Sequence, residues 1–508
     1  MGGSGNTSRA AGRSIFWAAL IGLFGMCILP LPLAQAERPA SSASAAPNAA
    51  GIPAPYDIPM AEKVVNLYKA ARHYGGHLGM SIVDLRTGKT VAAKDEGVAM
   101  NPASNAKLLT AWAALRAFGP QHRYLTGLYG KIRENRVDTL LVRGEGDPSL
   151  EHEHLYAMVS ELRLAGVGMV GDIIVDQSRF DDRQVPPAFD QQPDEWASFR
   201  APVSAVAVDG NTVHVSVFPS IAGQHARVRA VPPSVIELDG AVGTSSEEKV
   251  ETIQLEMLAL KDGRMRAQIG GSLPAGGLPV PIWRRAADPS LLAGYAIADV
   301  CRAMGIEVHG KVRRGHPVPQ DLLAFHRSEP LGKLLHALGK HSDNFHAEMI
   351  FKGLGGKHGP ASFESARARV FELLADARLE SRGLKFENGS GLFDADRMSA
   401  GFITSLLASA ARDPSIGPEF LAQLAIGGVD GTLRNRFEPF AQARTIRAKT
   451  GTLRTVSSLA GYVLGTDGRP AMAFAFLVND VVDASTAMRQ EIDDVVAAAS
   501  FAASLPLP

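Results

Sequence analysis

NPASNAKLLTAWAALRAFG, residues 101–119, decides how the rest of the chain is read. A polar, proline-containing start runs into Leu108, Leu109, Trp112, Leu115 and Phe118 at helical spacing, which predicts a helix with a polar first turn and a buried body. Ser104 and Lys107 stand three residues apart on one face of that helix, with about 5 to 6 Å between their Cβ atoms. A flexible lysine then reaches the hydroxyl, which becomes a good nucleophile only when a base takes its proton. Unpaired N–H groups at the helix start can stabilise an oxyanion. The same residues also read as a serine helix cap with an incidental lysine behind it. Ser246-Glu247-Glu248-Lys249 repeats the spacing in an acidic segment that looks like a solvated turn, so spacing alone does not choose.

Two further segments do. In HSDNFHAEMIF, residues 341–351, Ser342-Asp343-Asn344 opens another apolar helical run through Phe345, Met349 and Ile350. In AKTGTLRTVSSLAGYV, residues 448–463, Lys449-Thr450-Gly451 lies in a strand-like run, where a small glycine lets another backbone approach. Singly, the first reads as a helix cap and the second as a strand-end turn. S-x-x-K, S-D-N and K-T-G in this order are the set of class A β-lactamases and penicillin-binding proteins, which the chain resembles. The residue chemistry agrees with that resemblance. A lysine of ordinary pKa, about 10.4, is a poor base at neutral pH, but desolvation and a second cation lower it, and Lys449 can be that cation. Ser342 can relay a proton between Lys107 and a leaving amine, and Asn344 can hydrogen-bond a substrate amide. Thr450 with Lys449 can hold a carboxylate, with Gly451 keeping the strand close. The N–H groups of Ser104 and Thr452 can form an oxyanion hole.

Ser104 and Ser342 are 238 residues apart, far more than in compact serine β-lactamases. The interval resembles that of the class C low-molecular-mass penicillin-binding proteins, the D-alanyl-D-alanine carboxypeptidase/endopeptidase group of peptidase family S13, in which extra domains are inserted between the first two motifs. GEGDPSL (144–150), GDIIVDQSRFD (171–181), FRAPVSAVAVDGNTVHVSV (199–217), ENGSGL (387–392) and GGVDGTLRNRF (427–437) resemble the same group. Small departures, Arg454-Thr455 after the K-T-G strand and FHAE after the S-D-N, bear on substrate fit. The resemblance implies hydrolysis of D-Ala-D-Ala peptides and of D-Ala-to-diaminopimelate cross-links in peptidoglycan through an acyl-enzyme on Ser104, with β-lactams acylating the same serine and no cofactor or metal. It also implies an acidic residue of the insertion against the substrate side chain, for which Asp181 or Asp182 is the candidate. A fast-deacylating β-lactamase or esterase, and a non-catalytic peptidoglycan-binding protein of the same fold, stay open as alternatives.

The chain has 508 residues, 46% hydrophobic and 20% charged, which predicts a globular protein of two or three domains. Arg9 and Arg13 precede the 19-residue apolar run IFWAALIGLFGMCILPLPL and Ala34-Gln35-Ala36. That order reads as a secretory signal over 1–36, cleaved to release a periplasmic protein with no membrane anchor; an uncleaved anchor is the competing reading. Residues 37–54 form an Ala/Ser/Pro-rich tether. Cys27 lies in the signal, which leaves Cys301 alone and no intramolecular disulfide.

Helical periodicity in MAEKVVNLYKAARHYG and a hairpin around Arg86-Thr87-Gly88 open the globular part, which turns to strands from Tyr124 to about Gly315. Asp262-Gly263 signals a tight hairpin there, and SLLAGYAIADVCRAMG interrupts with a helix. Helices return after about Leu322, followed by two strand runs and a last helix, TAMRQEIDDVVAAASFAAS, whose Asp493 and Asp494 suit core packing better than anchoring. The expectation is an α/β (α+β) fold: a transpeptidase-like domain over 55–123 and 322–508, split by a β-rich insertion over 124–321. The insertion divides into 124–212 with 285–321, and 213–284. A zero formal charge excludes bulk electrostatic holding of nucleic acid. No H-E-x-x-H or phosphate-loop motif is present, and His152 and His154 fall on an exposed helix.

Overall fold

A computed structural model describes residues 60–192, 195–246, 251–437, 440, 442–481 and 485–504. The expected signal, the tether and most of the 246–249 decoy lie outside them. The strand Pro470–Asn479, PAMAFAFLVN, shows how the first sheet is made. Successive side chains of a strand point to opposite faces. Ala473, Ala475 and Leu477 therefore face one helical layer, and Met472, Phe474, Phe476 and Val478 face another. The sheet has six antiparallel strands in the order Ala425–Ile426, Ile446–Leu453, Val456–Leu464, Pro470–Asn479, His77–Asp84 and Thr90–Lys94.

Met60–His73 and Ser485–Ser504 cover the phenylalanine face. Met488, Ile492, Val495 and Val496 of the last helix are fully buried there, so that helix packs on the core as its sequence suggests. Its two aspartates are spoken for: Asp493 pairs with Arg436 at 2.5 Å and Asp494 with Lys63 at 2.7 Å. The small-residue face receives Ala106–Phe118, Asn344–Leu354 and Ala400–Arg412. Among the described residues no helix is long and apolar enough to cross a membrane.

Between the two halves of this sheet the chain builds others. Arg136–Gly144 and Met169–Asp176 run parallel, joined by the helix His152–Leu164. Leu125–Gly130 and Asp321–Arg327 extend that sheet on one side, Glu307–Val308 and Val312–Arg314 on the other. Two three-stranded sheets and a short parallel pair lie within residues 212–285. The Asp262-Gly263 hairpin forms, with a longer loop than the dipeptide alone signals: the Leu260 N–H donates to the Arg264 carbonyl at 2.8 Å, and Gly263 takes φ +82°. His152 and His154 are half-buried rather than exposed, because His152 pairs with Asp209 and His154 stacks on His326 with ring centroids 4.0 Å apart. FRAPVSAVAV then leads back: Ala201, Val203, Ala205 and Ala207 bury in the same core as Trp112. This mixed α/β organisation is the class expected from the sequence.

Candidate active site

Ser104 does not cap the helix. It sits in a 3-10 turn, Ala103–Asn105, ahead of the helix Ala106–Phe118, and makes no capping hydrogen bond. Ala103 is in the left-handed region at φ +46°, a conformation that costs a non-glycine residue about 1–3 kcal/mol and persists only where its surroundings impose it. The surroundings are the Asn101 side chain, which accepts from the Ala103 N–H at 2.9 Å, and Asn479, which binds the Asn101 backbone through both ends of its amide. Gly391 closes over the turn so tightly that a Cβ there would overlap the Ala103 carbonyl.

Lys107 is 1% exposed and its ammonium nitrogen has three acceptors: Ser104 Oγ at 2.9 Å, Asn344 Oδ1 at 2.8 Å and the Ser390 carbonyl at 2.7 Å. Burial brings its pKa down to about 7, against the opposing pull of Glu348, Asp343 and Asp396. The second cation expected to do this has a different effect. Lys449 is fully buried and is itself held well below the usual lysine range, by burial and then by the charge of Lys107. Its Nζ donates to Ser342 Oγ at 2.8 Å.

Ser342 is also left-handed, at φ +59°, and Asp343 rather than Ser342 caps the next helix by accepting from the His346 N–H at 2.8 Å. Ser342 is bonded to Lys449, whereas Lys107 is bonded to Asn344 and Ser104. The proton route from Lys107 through Ser342 therefore has no direct contact here. Asn344 holds Lys107 through Oδ1 and donates through Nδ2 to the Phe199 carbonyl at 3.2 Å, so a substrate amide must replace one of these bonds.

The strand Ile446–Leu453 passes beside the serine. A Cβ on Gly451 would collide with Ser458 Oγ and lie 3.0 Å from the Ser104 amide nitrogen, so the glycine permits the approach read from K-T-G. Thr450 donates to Thr432 Oγ1 at 2.8 Å. Among the described residues, beyond Arg447 and Ala448, which pair with Ala425–Ile426, the 449–453 edge of this strand has no neighbouring strand in the sheet. It can therefore receive an extended peptide.

Other residues matter as much as the motif residues. Glu348, of the FHAE segment, is fully buried, and its carboxylate accepts from the N–H groups of Gly389 at 3.1 Å and Ser390 at 2.9 Å. It thereby aims the Ser390 carbonyl at Lys107. Asp396, pushed up to about 8 by burial, accepts from the Glu387 N–H at 2.8 Å and shapes the same loop. Thr110 donates to the Gly389 carbonyl at 2.6 Å.

Asp181, offered as a substrate contact, instead pairs at 2.5 Å with Lys352, which is fully buried between the Phe180 and Phe363 rings. A cavity of about 470 Å³ beside Ser342 and Asn344 is lined from the region between Ser104 and Ser342 by Glu151, Phe199, Asp209 and Trp283, not by Asp181 or Asp182.

A buried near-neutral lysine on a serine hydroxyl, a second serine on a second lysine and an open strand edge together suit acyl transfer. Residues 62–500 match the model of the D-Ala-D-Ala carboxypeptidase 3 (S13) family. The chain is 33% identical over 427 residues to a D-alanyl-D-alanine carboxypeptidase of Actinomadura sp. (strain R39), covering 80% of this chain and 78% of that one. Its fold matches the crystal structure of penicillin-binding protein 4 from Haemophilus influenzae with a TM-score of 0.71 and 26% identity, over 84% of this chain and 97% of the other. That protein complexed with a β-lactam matches at 0.69 and 25%, over 87% and 100%. The chain belongs to the D-Ala-D-Ala carboxypeptidase 3 (S13) family.

Proposed function

We propose that the protein is a periplasmic serine hydrolase that cleaves D-Ala-D-Ala termini and D-Ala-diaminopimelate cross-links of peptidoglycan stem peptides through an acyl-enzyme on Ser104. The observation that carries this reading is the Lys107 amine, 2.9 Å from Ser104 Oγ, with a pKa of about 7. A general base works best with a pKa near the operating pH. Neutral Lys107 takes the Ser104 proton, and Oγ attacks the carbonyl of the penultimate D-Ala. The oxyanion faces the N–H groups of Ser104 and Thr452. Ser342 gives its proton to the leaving amine and is replenished by Lys449, its bonded neighbour. Water then attacks the ester, its proton passing through Ser342 to the neutral Lys449 while Lys107 returns its own to Ser104 Oγ, which restores the serine and both lysines.

A β-lactam offers the same carbonyl in a ring, so its acyl group stays attached after opening. The complex of the Haemophilus influenzae relative with a β-lactam supports that expectation. Incubation with a fluorescent penicillin, with the adduct mapped by mass spectrometry, tests the reading: labelling is expected at Ser104, and its absence or its location elsewhere defeats it. D-Ala release from a pentapeptide and cleavage of cross-linked muropeptides separate the two peptidase roles. Rapid β-lactam destruction with neither peptide touched identifies a β-lactamase instead.

A further inference from the structure

The strand Val280–Arg285 pairs with Thr212–Phe218, which sets Trp283 opposite His214 with ring centroids 4.4 Å apart. A bridge between Ala197 and Arg284 brings the turn of Ser198 and Phe199 against the same strand. Trp283 and Phe199 nonetheless stay 44% and 53% exposed, although burying such rings is among the larger gains open to a fold. Both line the cavity of about 470 Å³ whose other wall is the start of the helix Asn344–Leu354 with Ser342 just ahead of it. The three carboxylates of that cavity are taken up within the chain. Asp209 pairs with His152, Asp343 lies 3.2 Å from His346, and Glu151 forms a capping box with His154. What the cavity offers a ligand is therefore apolar contact with two rings. Its place in the reaction follows from Ser342. The acyl half of a substrate lies along the open 449–453 edge, and Ser342, the donor to the leaving amine in the reaction above, lines the cavity, so the cavity opens on the departing side.

We propose that this cavity receives the leaving stem of a cross-link, the peptide whose amine departs from the acyl-enzyme, with Trp283 and Phe199 packed against its aliphatic parts. The proposal rests on the peptidase reading above and names what separates its two activities. The cavity falls in the range of roughly 300–1,000 Å³ that holds a drug-sized ligand. A departing D-Ala is a single residue and leaves most of that space empty, whereas a departing stem continues past the methylenes of its diaminopimelate and fills it. Contact with Trp283 thus favours cross-links over stem termini, without a part in the chemistry that both share.

The test measures D-Ala release from a monomeric pentapeptide and cleavage of a cross-linked muropeptide dimer by the wild type, Trp283→Ala, Trp283→Phe and Ser198→Trp, with thermal unfolding and penicillin labelling followed in parallel. Ser198→Trp fills the cavity without removing either ring, so it decides the matter even if Trp283→Ala does not fold. The expected result for Trp283→Ala is a fall in kcat/KM of roughly 10-fold on the dimer, carried mainly by KM, with most of it recovered in Trp283→Phe. Ser198→Trp should lower dimer cleavage in the same selective way, while D-Ala release changes less than about threefold in all three variants. Equal losses on both substrates, or an undiminished dimer rate in Ser198→Trp, overturn the assignment of the cavity and leave the peptidase reading intact. A wild type that releases D-Ala but spares the dimer also overturns it. A wild type that neither labels at Ser104 nor turns over either peptide removes the peptidase reading and this assignment with it.

Discussion

Lys107 is a base made by its surroundings. Since it must be neutral to accept the Ser104 proton, the acylation rate should climb with pH through about 7 and level off above it. Stopped-flow acylation by a chromogenic cephalosporin across pH 5 to 9 measures this limb, and a flat profile contradicts the assignment. Lys107→Ala should lower the acylation rate by about 10²–10⁴, the usual contribution of a positioned general base. Glu348 pulls the lysine pKa upward, so Glu348→Gln should move the limb toward lower pH while loosening the Ser390 loop; a shift to higher pH contradicts its proposed part. The motif residues were legible because each pairs a local spacing with a side-chain chemistry. Glu348 and Ser390 were not, although both lie in segments that stand out in the sequence. Ser390 acts through its carbonyl, which no residue type announces, and Glu348 acts through amides more than 40 residues away, brought to it only by folding.

At the scale of elements, the reactive serine depends on close packing of backbone on backbone. Gly391 is at φ +72° and would place a Cβ on the Ala103 carbonyl, so Gly391→Ala should both strain its own backbone and displace the 3-10 turn. The expected outcome is a loss of about 1–3 kcal/mol in chemical denaturation together with slower penicillin labelling. A variant that labels at the wild-type rate shows that the turn does not need this contact. Most helices and the long strands follow from apolar period, including the two-faced burial of Pro470–Asn479. Ala425–Ile426 and the left-handed Ala103 and Ser342 do not. A two-residue strand is too short to show a period, and left-handed backbone at alanine or serine is imposed by neighbours rather than by the residue itself.

Across the whole molecule, residues of the segment between Ser104 and Ser342 reach the serine-bearing core through buried contacts. Lys352 makes one of them, fully buried with Asp181 as its carboxylate and the Arg183 carbonyl at 2.6 Å as a further acceptor. Asp181→Ala leaves that cation buried without its counter-charge and should cost about 3 kcal/mol in denaturant titration. Asp181→Ala combined with Lys352→Met should recover much of the loss, and failure to recover argues against the pair as the cause. The strand-rich texture after Tyr124 was readable from the sequence. The way 201–207 re-enters the core beside Trp112 was not, because an apolar run without period does not reveal its neighbours.

The split has a temporal side. His77 pairs across the sheet with Asn479, and that same Asn479 grips the backbone two residues before the left-handed Ala103. The nucleophile thus appears in the growing polypeptide well ahead of its brace, which lies 378 residues beyond Asn101. Closing so long a loop is slow compared with local helix formation. A chain not yet extended to Asn479 therefore carries its hydroxyl in latent form, and hydrolytic competence waits for that brace.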